Sequence, residues 1–324
     1  MRDDNNIKKD ITDTLKEIFK YVNLDSGEIS IHINLDRNNK NKDFMRQSFM
    51  LYSLNYALYH FKTVELINEE LRLDLIENIK VMGQFIIKYS NEYLDSNNQE
   101  NIIENKYVEL NLLRSSILEG KLDLIDFWSL KVEQNLKVVF KQPLLLALYI
   151  KTMTDLNKFN IKIDFLQYHL PTAIESFYAW TKIEPNNFSE SFNYMDYYYF
   201  NSELENDNIY RKQIDNFIQN KLKSEWENIE DFNTSCIVKI CEGLTYKKLY
   251  CDKVYHDNDV LLNIEKYLKV IFDRKIKLSN YLIENYKYGV NSLSEIKNTS
   301  YVCLDTYGHL IIVFVNLLLI KNNK

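Results

Sequence analysis

Residues 310–320 read LIIVFVNLLLI and form the one stretch of the chain that is apolar enough to be considered for a membrane span. Eleven residues are too few to cross about 30 Å of hydrocarbon. Extending the stretch backward brings in Asp305, Gly308 and His309. A helical face this apolar would cause aggregation if it stayed exposed. The stretch therefore predicts a helix over residues 300–320 that is buried in the core of the protein.

The same helical spacing of apolar residues runs through most of the chain. Residues 7–22 carry one apolar residue on nearly every turn, and only 6 Gly and 3 Pro interrupt a chain of 324 residues. Strict alternation of apolar and polar residues occurs clearly only at 29–35. We therefore predict an all-α fold of about a dozen helices in antiparallel hairpins, as a bundle array or a short α-solenoid. Strand content is expected only at residues 28–35.

Further helices are predicted over 44–61, 64–89, 102–118, 122–140, 144–153, 163–182, 188–201, 207–227, 232–249, 259–273 and 275–288. Pro143 suits the first turn of its helix. Pro171 should kink its helix or split it near His169. The strongest breaker is Glu-Pro-Asn-Asn at 184–187, which divides an N-terminal helical part (1–184) from a C-terminal helical part (185–324) of one globular unit.

Charge and motifs narrow the classes of function. The net charge of −6 disfavours nonspecific nucleic-acid binding, which needs a basic surface. The glycines are scattered singly, which excludes phosphate-binding loops, and neither HExxH nor GxSxG occurs. The four cysteines form no CxxC pair, and the first ten residues are too polar for a signal peptide. We expect a cytoplasmic protein with reduced thiols, no membrane segment and no cofactor.

Two groups of residues have the chemistry of a metal or catalytic site. The first group is a short acidic segment that contains a thiol and an imidazole: Cys251, Asp252, His256, Asp257 and Asp259. These are ligands for zinc or another divalent cation. The alternative is a solvated turn between two helices, in which the aspartates cap the next helix. We prefer this alternative, so no metal is predicted.

The second group is Cys303, Asp305 and His309, which supply a thiol, an acid and an imidazole on adjacent turns of one helix. Members of a catalytic triad usually come from separated segments. We therefore interpret His309 as a core residue, and no catalytic residue is predicted.

The most distinctive segment is acidic and aromatic. No basic residue occurs between Lys182 and Arg211. Tyrosines beside carboxylates are typical of a binding surface for a basic protein. The predicted partner-binding residues are Glu190, Tyr194, Asp196, Tyr197, Tyr198, Glu203, Glu205 and Asp207. The alternative is a solvated acidic loop whose tyrosines pack between helices.

A resemblance gives this surface a concrete role. Residues 52–61 (YSLNYALYHF) resemble the early helix of bacterial immunity protein family 49, and residues 262–288 with the apolar helix 301–320 are similar to that family's closing region. The resemblance implies a mostly helical, non-enzymatic antidote that binds and neutralises a cognate toxin. The expected partner is a basic toxin, whose cationic surface would be occluded through charge complementarity. No binding residue is assigned from the resemblance.

Two alternatives stay open from sequence. One is a divergent metal-dependent helical enzyme, which a polar, carboxylate-lined internal cavity would favour. The other is a helical-repeat regulator or scaffold that binds peptides, which a concave groove with regular stacking would favour.

Overall fold

The computed structural model describes residues 3–29, 32–34, 43–66, 68–93, 99–181, 234–251, 259–277 and 301–322. These residues form twelve helices and two short strands. In chain order the elements are α1 (Asp4–Phe19), β1 (His32–Asn34), α2 (Phe44–His60), α3 (Glu69–Tyr93), α4 (Gln99–Glu119), α5 (Leu122–Glu133), α6 (Leu136–Val139), α7 (Pro143–Lys158), α8 (Asp164–Gln167), α9 (Leu170–Thr181), α10 (Thr234–Cys251), α11 (Asp259–Lys277), β2 (Tyr301–Cys303) and α12 (Leu304–Asn322). The predicted all-α fold is confirmed.

The two strands pair with each other although they lie near opposite ends of the sequence. β1 and β2 are antiparallel, with His32 opposite Cys303 and Asn34 opposite Tyr301. The strand predicted near residue 30 therefore exists and has a partner. The prediction of a helix over 300–320 is wrong for its first three residues, because Tyr-Val-Cys supplies the second strand and the helix begins at Leu304.

The helices form an inner and an outer layer that alternate along the chain. The inner helices are α2, α4, α7, α10 and α12, which pack side by side in the order α10, α12, α2, α4, α7. Each of them also packs against an outer helix: α1 on α12, α3 on α2, α5 on α4, α9 on α7 and α11 on α10. The outer helices α1 and α11 are amphipathic, whereas α2 and α12 are buried around most of their circumference.

The helix α12 is the core element that its sequence predicts. From Leu304 to Ile320 every residue except His309 is buried. Among the described helices it is the one long and apolar enough to cross a membrane, and 83% of its apolar window is buried inside the protein. The observed packing is that of a core helix.

A close approach of two backbones fixes α12 against α2. A Cβ atom at Gly308 would lie 2.9 Å from Ser53 Oγ and 3.3 Å from a ring carbon of Phe49. Only glycine lets the two helices come this near without displacing these side chains. This contact brings the next residue, His309, against the ring of Phe49.

Caps and breakers set the ends of the helices largely as predicted. Asp43 caps α2 by accepting a hydrogen bond from the backbone N–H of Arg46 at 3.0 Å, and Pro143 occupies the first turn of α7. The segment around Pro171 is split, with α8 ending at Gln167 and α9 beginning at Leu170. The helix predicted over 122–140 is instead broken at Asn135, which has φ of 63°.

Candidate active site

A cluster of charged side chains lies between three of the inner helices. Glu242 of α10 is fully buried, and its carboxylate contacts Lys151 of α7 and His309 of α12. Lys151 Nζ lies 3.3 Å from Glu242 Oε1, and the Tyr246 hydroxyl donates to the same oxygen at 3.0 Å. His309 Nδ1 bonds to Glu242 Oε2. Three helices that are distant in sequence therefore meet at one carboxylate, and we call these four residues the Glu242 cluster.

Two opposing effects set the ionisation of Glu242. Burial by itself would raise its pKa. The nearby His309 and Lys151, with hydrogen bonds from His309 and Tyr246, outweigh burial and lower the pKa of Glu242 to about 2. The pKa of Tyr246 is raised well above its ordinary value by burial and by the Glu242 charge. At neutral pH the cluster therefore contains a carboxylate anion and a neutral tyrosine that donates to it.

His309 is the member of the cluster that reaches the surface. Its side chain is 13% exposed, and its ring packs on Phe49 with 4.0 Å between ring centroids. Its Nδ1 is held by Glu242, while Nε2 makes no hydrogen bond within the described part of the chain. An anionic acceptor at Nδ1 favours the tautomer with the proton on Nδ1, which leaves the lone pair of Nε2 available. This is the geometry of a general base oriented by a carboxylate.

A second ion pair lies in the same interior. Arg114 of α4 is 1% exposed, and its Nε donates to Asp155 Oδ2 of α7 at 2.7 Å. The guanidinium carbon lies 3.6 Å from the centroid of the Tyr52 ring, so the cation is stacked on an aromatic face from α2. This pair joins α2, α4 and α7 as the Glu242 cluster joins α7, α10 and α12.

A neutral hydrogen-bond chain completes the polar interior. The Tyr56 hydroxyl donates to Asn316 Oδ1 at 2.6 Å, and Asn316 Nδ2 donates to Thr245 Oγ1 at 2.9 Å. These residues belong to α2, α12 and α10. All five inner helices therefore contribute polar side chains to one another, and the centre of the protein is polar although its helices are mostly apolar.

Several buried polar atoms on the inner helices have no hydrogen-bond partner among the described residues. They are both amide atoms of Gln47, Asn55 Nδ2, Asn111 Oδ1, Arg114 Nη2, Ser115 Oγ and Thr306 Oγ1. An unsatisfied buried polar group costs about 1–3 kcal/mol, and native proteins therefore keep few of them.

The four buried carboxylates of the inner helices each contact a cationic side chain, and the Glu109 carboxylate accepts a hydrogen bond from Lys106 Nζ at 2.6 Å. Besides Glu242 and Asp155, Asp305 lies 3.5 Å from Arg46 Nε. Within the described residues, no group of three or more His, Cys, Asp or Glu side chains is arranged to hold a metal ion. The chemistry offered here is proton transfer and hydrogen bonding.

The described residues cover only part of the predicted sites. The predicted partner-binding residues at 190–207 lie outside the described residues, as does the boundary predicted at 184–187. The segment from Asp252 to Asn258 is outside as well, so both the preferred interpretation as a capped turn and the metal alternative stay untested. Asp305 and His309 are described but do not form a site with each other, because Asp305 pairs with Arg46 and His309 with Glu242. The interpretation of His309 as a core residue was therefore incomplete.

Sequence reasoning did not identify Glu242, Lys151 or Arg114, because their partners are distant along the chain. Glu242 and His309 are 67 residues apart, and Lys151 and Glu242 are 91 apart. The sequence does contain one indication of these partners, which is a charged residue within an apolar helical segment. Lys151 follows the run LLLALYI, and Glu242 stands within the buried helix α10, where an unpaired charge would be costly. A single charge on a buried helical face indicates a partner on another helix.

Packing one layer of helices on another around a shared core is a common arrangement of all-α proteins. No protein-family model and no curated protein matches the chain. Among solved structures, the chain is similar to the GH76A alpha-1,6-mannanase from Salegentibacter sp. HEL1_6. The TM-score is 0.58 and the sequence identity 9%, and the match covers 98% of this chain and 100% of that one.

This likeness corrects the expected function, because the fold is one that an enzyme uses. The prediction of a non-enzymatic immunity protein was therefore wrong. The resemblance to immunity protein family 49 itself stays a prediction, since no family model and no curated protein matches the chain.

Proposed function

We propose that this protein is an enzyme that acts on a carbohydrate and uses His309, oriented by Glu242, as its proton-transfer group. The observation that carries the proposal is the bond from His309 Nδ1 to a fully buried, ionised carboxylate, with Nε2 left without a described partner. General acid–base catalysis needs a titratable group of this kind at a partly exposed position.

The Glu242 cluster fits this role chemically. When His309 takes a proton from a substrate hydroxyl or from water through Nε2, the resulting imidazolium lies against Glu242 and is stabilised by it. Lys151 and Tyr246 hold the carboxylate in place and keep it ionised. Glu242 therefore positions the base, and His309 is the group that would touch the substrate.

Two observations support a carbohydrate as the substrate. The described residues include buried polar atoms without a hydrogen-bond partner among them, which are donors and acceptors of the kind that a polyol needs: Gln47 Oε1 and Nε2, Asn111 Oδ1, Arg114 Nη2 and Thr306 Oγ1. The solved structure to which the chain is similar is that of an alpha-1,6-mannanase.

The reaction would differ from the two-carboxylate mechanism common among glycoside hydrolases. That mechanism needs one carboxyl group whose pKa is raised so that it can act as an acid. Burial raises the pKa of Glu109 to about 7, but this carboxyl accepts a hydrogen bond from Lys106 Nζ, which also bonds to α5 of the outer layer, away from His309. The pKa of Glu242, the carboxyl that contacts His309, is instead lowered to about 2. The described residues therefore support a histidine base.

The test compares two histidines in a screen of mannose-, glucose- and uronate-containing oligosaccharides, with products resolved by chromatography. His309→Gln should lower kcat/KM by about 10²–10⁴-fold, the usual contribution of general acid–base catalysis. His169→Gln, which changes a histidine between α8 and α9, is the matched control and should keep full activity.

Two results would contradict the proposal separately. Turnover of none of the saccharides by a folded wild-type protein would reject the substrate class. Turnover that His309→Gln leaves unchanged would reject the assignment of the base.

A further inference from the structure

A cavity lies on the outer side of the inner layer, and none of the residues that line it belongs to the Glu242 cluster. It has a volume of about 710 Å³ and lies between α2, α3, α4 and α5. Typical small-molecule sites have volumes of about 300–1,000 Å³. The cavity is therefore large enough for an organic ligand.

Most of its wall is apolar. Leu51 and Leu58 come from α2, Ile79 from α3, Leu112 from α4 and Trp128 from α5. Water in such a space would find few hydrogen-bond partners, so an apolar ligand body would displace it favourably.

Two buried side chains in the wall each have a polar atom without a hydrogen-bond partner among the described residues. Asn55 and Ser115 are each 2% exposed, and neither Asn55 Nδ2 nor Ser115 Oγ has a hydrogen-bond partner. Both belong to inner helices, α2 and α4, so they lie at the back of the cavity. Two unsatisfied groups in one apolar wall point to a ligand oxygen that would accept from Asn55 and bond with Ser115.

The rim adds a positive charge. Lys80 of α3 is exposed and lines the cavity, and Lys121 lines it beside Glu119, with which it forms an ion pair. Exposed apolar side chains are also present, since Tyr59 and Ile76 line the cavity at 48% and 36% exposure. An anionic group is thus favoured at the outer end and an apolar body within.

We propose that this cavity binds an amphipathic organic acid. Its carboxylate would lie near Lys80, its hydrocarbon body would fill the cavity, and a hydroxyl or carbonyl oxygen at its inner end would bond with Asn55 and Ser115. This site is independent of the proposed carbohydrate activity, because it uses other residues and the opposite side of the inner helices.

The experiment uses the full chain and four ten-carbon probes: decanoate, 1-decanol, 1,10-decanediol and 10-hydroxydecanoate. Binding is measured by calorimetry and by the shift of Tm. The order of affinity should be 10-hydroxydecanoate first, decanoate and the diol next, and decanol last. Trp128 lines the cavity, so its fluorescence should change on binding, and Trp128→Phe should remove that change while preserving the Tm shift.

Variants separate the three parts of the site. Gly83→Leu should abolish binding by filling the cavity, because Gly83 lines it and a Cβ there has its nearest neighbour, Leu51 Cδ2, at 3.9 Å. Lys80→Ala should weaken both acids about two- to fivefold and leave decanol unchanged, as expected for one exposed ion pair. Asn55→Leu should remove the preference for hydroxylated probes, about two- to tenfold. Lys137→Ala, an exposed lysine on α6, is the control.

Three outcomes would contradict the proposed ligand site. Probe binding that Gly83→Leu leaves intact in a folded protein would place the ligand elsewhere. Equal affinity for decanol and 10-hydroxydecanoate would reject the roles of Lys80 and Asn55. Binding of none of the four probes would overturn the proposal.

Discussion

Replacing Glu242 by Gln should destabilise the protein strongly. Glu242 is 0% exposed and holds three groups, Lys151, Tyr246 and His309, through direct contacts. The amide keeps the shape of the side chain but removes the charge, so Lys151, itself 3% exposed, loses its carboxylate partner. Removing one member of a buried ion pair costs about 3–5 kcal/mol. We expect a loss of that size in the free energy of unfolding.

The assay is urea unfolding followed by circular dichroism, with Glu77→Gln on the exposed face of α3 as the matched control. The control should stay within about 0.5 kcal/mol of the wild type. The double variant Glu242→Gln/Lys151→Met should recover about 1–3 kcal/mol relative to Glu242→Gln, because the remaining buried charge is removed with its partner. A Glu242→Gln variant within about 1 kcal/mol of the wild type would refute the network as described.

The pH dependence gives an independent check on the same carboxylate. The pKa of Glu242 is lowered in the folded state, so its stabilising effect is complete above the ordinary value of 4.5 and is lost as pH falls toward about 2. Wild-type stability should therefore decline over that interval more than that of Glu242→Gln. Parallel curves for the two proteins would show that Glu242 is not the group responsible.

Three further predictions concern other parts of the fold. Gly308→Ala should destabilise the protein by about 1–2 kcal/mol, because the added methyl group would crowd Ser53. Gly83→Ala, at an uncrowded helical position, should instead stabilise the protein by about 0.5–1 kcal/mol. Chemical unfolding of both variants tests the close helix contact at Gly308. Burial, assisted by the charge of Lys158, lowers the pKa of His60 to about 4. Lowering the pH from 6.5 to 4 should therefore reduce the free energy of unfolding by about 2–3 kcal/mol. A His60→Gln variant that shows the same loss would contradict the assignment. Cys241 is buried and its pKa is raised by burial, so peptide mapping should find it unmodified by a thiol reagent until the chain unfolds; rapid labelling of the native protein would contradict its burial.

The fold was predictable because helix periodicity is a local property. The stripe of Ile7, Ile11, Leu15 and Ile18 specifies the buried face of α1 without reference to any other segment. The strand pair was only half predictable. Alternation marks β1, but its partner β2 is three residues long and directly continues into a helix. Three residues are too few to show a period.

The candidate active site was not predictable in the same way, because it depends on which faces of distant helices meet. Glu242, Lys151 and His309 are unremarkable in their own segments, and their roles follow only from a shared position at the centre of the inner layer. The same packing separates the two sites proposed above. On α2 and α4, Tyr56 and Arg114 bond to other inner helices, at Asn316 and Asp155. Their sequence neighbours Asn55 and Ser115 line the cavity under α3 and α5, and Asn55 Nδ2 and Ser115 Oγ have no hydrogen-bond partner within the described residues. A helix has room for both, because successive residues point in directions about 100° apart. The inner helices can therefore carry a proton-transfer site on one side and an apolar ligand site on the other, and substitutions at Glu242 and at Asn55 should act independently.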